Sequence, residues 1–94
     1  MKTATLTRKI PGGKLVRLDL TYSDHIESAK ITGDFFLHPE DTLEALVAVI
    51  QGTALPINPT ALTAKLEQVL ADNNAQLIGA SPADLVAILQ EALT

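Results

Sequence analysis

Cysteine and tryptophan are missing from these 94 residues, and Tyr22, Phe35 and Phe36 are the only tyrosine and phenylalanine side chains. Without cysteine there is no disulfide, no thiolate metal site and no thiol chemistry, a composition that fits a reducing compartment. With 47% hydrophobic but 3% aromatic residues, the core must be built from Leu, Ile, Val and Ala. Basic residues are also scarce: seven Lys and Arg against eleven Asp and Glu leave a net charge of −4. A nucleic-acid backbone demands clustered Lys and Arg, so no nucleic-acid partner is expected. The longest unbroken apolar run, Ala45 to Ile50, is far too short to cross a bilayer, and no segment reads as a secretory signal. No membrane partner is expected, and the default location is the cytoplasm.

A chain of this length reads as one domain, residues 1–94, whose stability is a few kcal/mol. Thr3 to Ile10 alternates weakly and is rich in Thr, which suits an edge strand. Pro11-Gly12-Gly13 breaks the chain with strong turn residues. From Lys14 the alternation is clean: Val16, Leu18, Leu20 and Tyr22 share one face, and Arg17, Asp19 and Thr21 the other. Ser23-Asp24-His25 is a short turn, so the next strand returns antiparallel, with Ala29, Ile31 and Gly33 on its core face. If that strand stays extended to its end, Phe35 falls on the core side while Asp34 and Phe36 fall on the polar side. Phe36 is then either covered by a neighbouring loop or a contact for a partner.

Three helices are expected after Leu37, each opening on a proline, where a missing N–H costs nothing. The first runs from Pro39 to Gln51, with Glu40 and Asp41 in its opening turn, Leu43, Leu46, Val47 and Ile50 as its apolar stripe, and Gly52 as a left-handed cap. The second has Asn58 as N-cap, Pro59 behind it, and Leu62, Leu66, Val69 and Leu70 facing inward. Leu77-Ile78-Gly79 reads as an apolar connector. Ser81-Pro82-Ala83-Asp84 then forms a capping box ahead of Leu85, Ile88, Leu89 and Leu93. The expected architecture is α+β: a three-stranded antiparallel sheet followed by three helices packed on one face.

Little in this sequence points to chemistry. His25 and His38 have no metal-ligand neighbour at useful spacing, so no metal site and no catalytic residue are expected. Asp34 either caps the coming turn or holds a charged group from elsewhere. Lys9-Ile10-Pro11-Gly12-Gly13-Lys14 joins a Gly pair to flanking lysines. It reads as a hairpin turn with solvated lysines or as a loop whose N–H groups approach a phosphate or carboxylate. The phosphate-loop pattern itself is absent.

Taken together, these pieces resemble the C-terminal domain of lipoate–protein ligases. Lys9-Ile10-Pro11-Gly12-Gly13-Lys14-Leu15-Val16 resembles that family's Lys-x-Pro-Gly-Gly-Lys stretch. Ile26 to Phe36 resembles its Ile-x-x-x-x-Ile-x-Gly-Asp-Phe-Phe strand, Leu43 to Gly52 its helix ending in Leu-x-Gly, and Gly79 to Leu89 its closing segment. The family's Arg-Arg-x-x-Gly-Gly-Gly motif and its lipoate-contacting lysine, which lie in a large N-terminal domain, have no counterpart here. The resemblance therefore implies the separate small accessory subunit of a bipartite ligase. Its partner would be a catalytic large subunit that takes ATP, Mg and lipoate, forms lipoyl-AMP, and passes the lipoyl group to a lysine of an acceptor domain. No cofactor is expected on this chain alone. The interface would use Lys9, Pro11, Gly12, Gly13, Lys14, Asp34 and Phe36, with Lys14 nearest the nucleotide. The implied fold is similar to SufE and NifU-type sulfur-transfer scaffolds, whose chemistry needs the cysteine that is missing. The other reading is a stand-alone protein-interaction module with no ligase role.

Overall fold

The computed structural model describes residues 1–12 and 14–94. Lys2–Lys9 (β1), Leu15–Tyr22 (β2) and Ile26–Gly33 (β3) form an antiparallel sheet in that order. The alternation of β2 sets its inner face. Leu18 lies between Leu6 and Ile31, and Leu20 between Ala4 and Ala29, so each row of the sheet presents aliphatic side chains to one side. Val16, Leu18 and Leu20 are buried, as the period-two pattern requires. Thr3, Thr5 and Thr7 pair with Thr21, Asp19 and Arg17 on the opposite face, and Ser28, Lys30 and Thr32 continue those rows.

A bulge shifts the register between Thr21 and Tyr22, so that Tyr22 faces Ile26 while Thr21 faces Ser28. Glu27 is the extra residue, and the slip puts Ile26 on the core face together with Ala29 and Ile31. Simple alternation through the strand cannot give that placement. Ile26 is completely buried, and its backbone bonds to both Gly52 and Thr53 just beyond the first helix.

Phe36–His38 (β4) and Gln76–Ile78 (β5) form a second, two-stranded antiparallel sheet. This corrects the reading of Leu77-Ile78-Gly79 as a connector. The helices are Thr42–Ile50 (α1), Pro59–Asp72 (α2) and Pro82–Ala92 (α3). Their apolar stripes bury Leu46 and Ile50, Leu62 and Leu66, and Leu85, Val86, Ile88 and Leu89. Each such side chain contributes roughly 1.5–3 kcal/mol when fully removed from water. α1 lies on β3, α3 lies on β1 and β2, and α2 makes its main contacts with the other two helices. The result is the expected α+β arrangement of a three-stranded antiparallel sheet followed by three helices.

Asn58 caps α2 by accepting from the Ala61 N–H at 3.1 Å. Ser81 and Asp84 form a reciprocal capping box at α3, with Pro59 and Pro82 in the opening turns as expected. α1 begins differently. It starts at Thr42 rather than Pro39, because Pro39, Glu40 and Asp41 form a lead-in turn whose carbonyls take the N–H groups of Thr42, Leu43 and Glu44 three residues on. Gly52 carries a φ of +88° just after the helix, the left-handed exit its position calls for. Among the described residues no helix is long and apolar enough to cross a membrane.

Among the described residues Thr42 is the one buried polar residue, and its Oγ1 has no hydrogen-bond partner there. A buried hydroxyl without a partner loses its hydration with no return. Thr42→Val is therefore expected to raise stability by about 1 kcal/mol, read as a higher urea midpoint. A lower midpoint would show that the hydroxyl is satisfied after all.

Candidate partner-binding surface

The surface begins where β3 ends. Gly33 faces the backbone of β2 so closely that a Cβ there would run into the Leu15 carbonyl oxygen and come within 3.1 Å of both the Leu15 carbonyl carbon and the Val16 Cα. Its φ lies outside the positive range, so close approach is what the position demands of glycine. The Asp34 N–H donates to the same Leu15 oxygen at 2.9 Å and pins the chain as it leaves the sheet. The Asp34 residue is exposed.

The two phenylalanines then part. Phe35 is half-buried and packs on the aliphatic core, whereas Phe36 is 54% exposed. The separation does not come from a β3 extended to its end. It comes from β4, a new strand in which Phe36 and His38 point outward and Leu37 points in. The rings of Phe36 and His38 stack with centroids 6.3 Å apart. Across the strand pair Phe36 faces Ile78, which is 48% exposed, and His38 faces Gln76. Phe36 and Ile78 thus form an exposed cross-strand apolar pair.

The β1–β2 turn reaches the same region. The Ile10 N–H donates to the Lys14 oxygen at 2.6 Å, and Gly12 adopts a φ of +105° between them. Gly13 lies outside the described residues. The Lys14 stem lies over Gly79, where a Cβ would come within 2.6 Å of its Cγ, immediately after Ile78. A cleft of about 290 Å³ separates this turn from the start of α3, and Asp84 shares its lining with Lys14, Pro11 and Gly12. The Asp84 carboxylate is engaged in the capping box, accepting from the Ser81 N–H at 3.0 Å and the Ser81 hydroxyl at 2.9 Å. Lys9, exposed at the end of β1, pairs in register with Leu15. Lys14, Asp34 and Phe36 are therefore gathered around the Gly33 and Gly79 close approaches, and Pro11, Gly12 and Lys9 lie along the adjoining turn.

A wider groove of about 640 Å³ opens on the other side of Phe36, between the β3–β4 junction and the start of α1. Ile31, Phe35, Leu37 and Leu43 contribute apolar lining, and Glu40, Asp41 and Glu44 also border it. Ile78 escapes the sequence reading because only the β4–β5 pairing brings it to Phe36, whereas Glu40 and Asp41 follow Phe36 closely in the chain and read there as acids of the opening helical turn.

The remaining titratable groups lie elsewhere. His25 sits in the β2–β3 turn with its Nδ1 at 2.7 Å from Asp24 Oδ1, and that contact holds the Asp24 carboxyl below its ordinary range. Hydrogen bonds from Arg17 and from the Thr5 hydroxyl do the same for Asp19 on the open sheet face. Among the described residues no group of three or more His, Asp or Glu is placed to hold a metal ion.

Protein-family models and curated proteins were compared with the chain, and neither comparison finds a match. A solved structure does match, with a TM-score of 0.67 and 21% identity over 95% of this chain and 93% of the other. It belongs to an archaeal lipoylation system, a bi-partite lipoate protein ligase and its E2 lipoyl domain from Thermoplasma acidophilum. The likeness is one of fold. By itself it shows no function for this chain, since one fold hosts many.

Proposed function

We propose that this chain is the non-catalytic accessory subunit of an ATP-dependent lipoate–protein ligase in the cytoplasm, promoting lipoyl-AMP formation by a separate catalytic subunit before lipoyl transfer to an acceptor lysine. The observation that carries the reading is the fold likeness over 95% of the chain to part of a bi-partite lipoate protein ligase. It agrees with the sequence resemblance running through Gly33-Asp34-Phe35-Phe36, the segment from which the exposed surface is built.

ATP, Mg and lipoate belong to the complex in this reading, and the contribution of this chain is physical. An acyl-adenylate hydrolyses when exposed, so its formation profits from an ordered, water-poor site. A small subunit that binds the active arrangement of the large one more tightly than the inactive arrangement shifts the population towards it. Phe36 supplies an apolar anchor of the kind that dominates interface energetics. Asp34, Lys9, Pro11, Gly12 and Lys14 form the border of that surface, with Lys14 directed towards the nucleotide-bearing side of the partner.

Size-exclusion chromatography of this chain with the catalytic subunit is the direct test of association. Co-elution as a heterodimer is expected. Separate elution at all concentrations would favour the stand-alone interaction module.

A further inference from the structure

We infer that the open groove beside Phe36 receives a segment of the catalytic subunit that presents an arginine next to large apolar side chains. The inference rests on the accessory-subunit reading and specifies the chemistry of its partner. It starts from the shape and lining of the groove, whose apolar surface of Phe35, Leu37 and Leu43 continues onto the exposed Phe36–Ile78 pair. An exposed aromatic joined to an apolar groove is the kind of surface that a partner covers.

Charge decides which partner. Three carboxylates border the groove, and its lining contains no Lys, Arg or His. Among the described residues none of the three takes part in an ion pair. The helix dipole accounts for Glu44 in the first turn of α1. It accounts less well for Glu40, which lies ahead of the helix. Asp41 stands at the N-cap position, yet its side chain accepts no capping hydrogen bond. The fold thus leaves Glu40 and Asp41 without a local use, beside an apolar surface that a partner would dehydrate.

An anionic ligand is repelled here, and the three acids do not come together as a metal site. A guanidinium meets both requirements at once. Its planar face stacks on an aromatic ring such as Phe36, and its fork pairs with a carboxylate. A basic segment also matches the surplus of acidic over basic residues in this chain as a whole.

Binding of the full chain to the catalytic subunit, measured by calorimetry at low and high salt, tests the inference. The combined variant Glu40→Gln, Asp41→Asn and Glu44→Gln is expected to bind about tenfold more weakly at low salt and to lose much of the salt dependence. Glu67→Gln, an exposed neutralisation on α2 outside the groove lining, should change neither by more than about twofold. If the combined variant fails to melt cooperatively, Glu40→Lys alone, at an exposed position, is expected to weaken binding in the same direction. Unaltered affinity and salt dependence in the neutralised variant would overturn the groove assignment and leave the accessory reading standing. No binding by the unaltered chain would overturn both. Self-association abolished by the same substitutions would assign the groove to a second copy instead and overturn the inference.

Discussion

Gly33→Ala should remove a large part of the stability of this protein, about 3 kcal/mol. The reason is steric and lies in the backbone. A methyl group at this position meets the Leu15 carbonyl oxygen, and behind it the Leu15 carbonyl carbon and the Val16 Cα at 3.1 Å. No rotamer change relieves such a clash. The β2–β3 register sets Gly33 opposite Val16, and the Asp34 N–H holds the Leu15 oxygen in place. Relief requires the end of the sheet to separate and lose that hydrogen bond. Gly52→Ala is the matched control. Gly52 has a φ of +88° but open space around its Cα, so only conformational strain of roughly 1–2 kcal/mol applies. Urea denaturation of both variants checks the difference. Equal losses would show that close approach is not what Gly33 provides.

Phe36→Ser is expected to act in the opposite way, sparing the fold and weakening association. The ring is 54% exposed and stacks on the His38 imidazole of the same strand. Stability should fall by no more than about 1 kcal/mol, the scale of a single aromatic pair. Affinity for the catalytic subunit should fall by roughly 30-fold, corresponding to about 2 kcal/mol for a buried aromatic anchor. Phe35→Ala provides the reverse case. That side chain packs against the core, and its removal should cost about 3 kcal/mol of folding stability. Thermal melts combined with calorimetric titration separate the two effects. A Phe36→Ser protein that binds normally would remove this residue from the interface.

Much of the architecture is legible in the sequence, and the reasons are local. β2 alternates strictly, and the starts of α2 and α3 carry side chains that satisfy their own first N–H groups, so these elements announce themselves within a few residues. The elements that escape are those fixed from a distance. Strands of three residues have no measurable period, so β4 and β5 become visible only when Phe36 meets Ile78. The bulge at Glu27 depends on Ile26 being held by Gly52 and Thr53 beyond α1. The start of α1 moves to Thr42 because a turn from Pro39 to Asp41 satisfies its first N–H groups from outside the helix.

The candidate surface divides in the same way. Lys14, Asp34 and Phe36 stand out from residue type and spacing, and the fold gathers them. Ile78 carries no local signal, and Glu40, Asp41 and Glu44 carry only the signal of a helix start. Helix-dipole logic offers an ordinary explanation for acids near a helix start, and only the groove gives them another. Alternation puts Gly33 on the core face, yet the residue is exposed, and its close approach to the Leu15 backbone is a property of strand packing that no pattern within β3 encodes.

ATP–pyrophosphate exchange by the catalytic subunit, with lipoate present and with or without this chain, tests the accessory role most directly. Exchange that rises on adding this chain and saturates at equal amounts of the two polypeptides is the expected result. The same rate with and without it, under conditions where the catalytic subunit is folded and binds ATP, would contradict the proposed role.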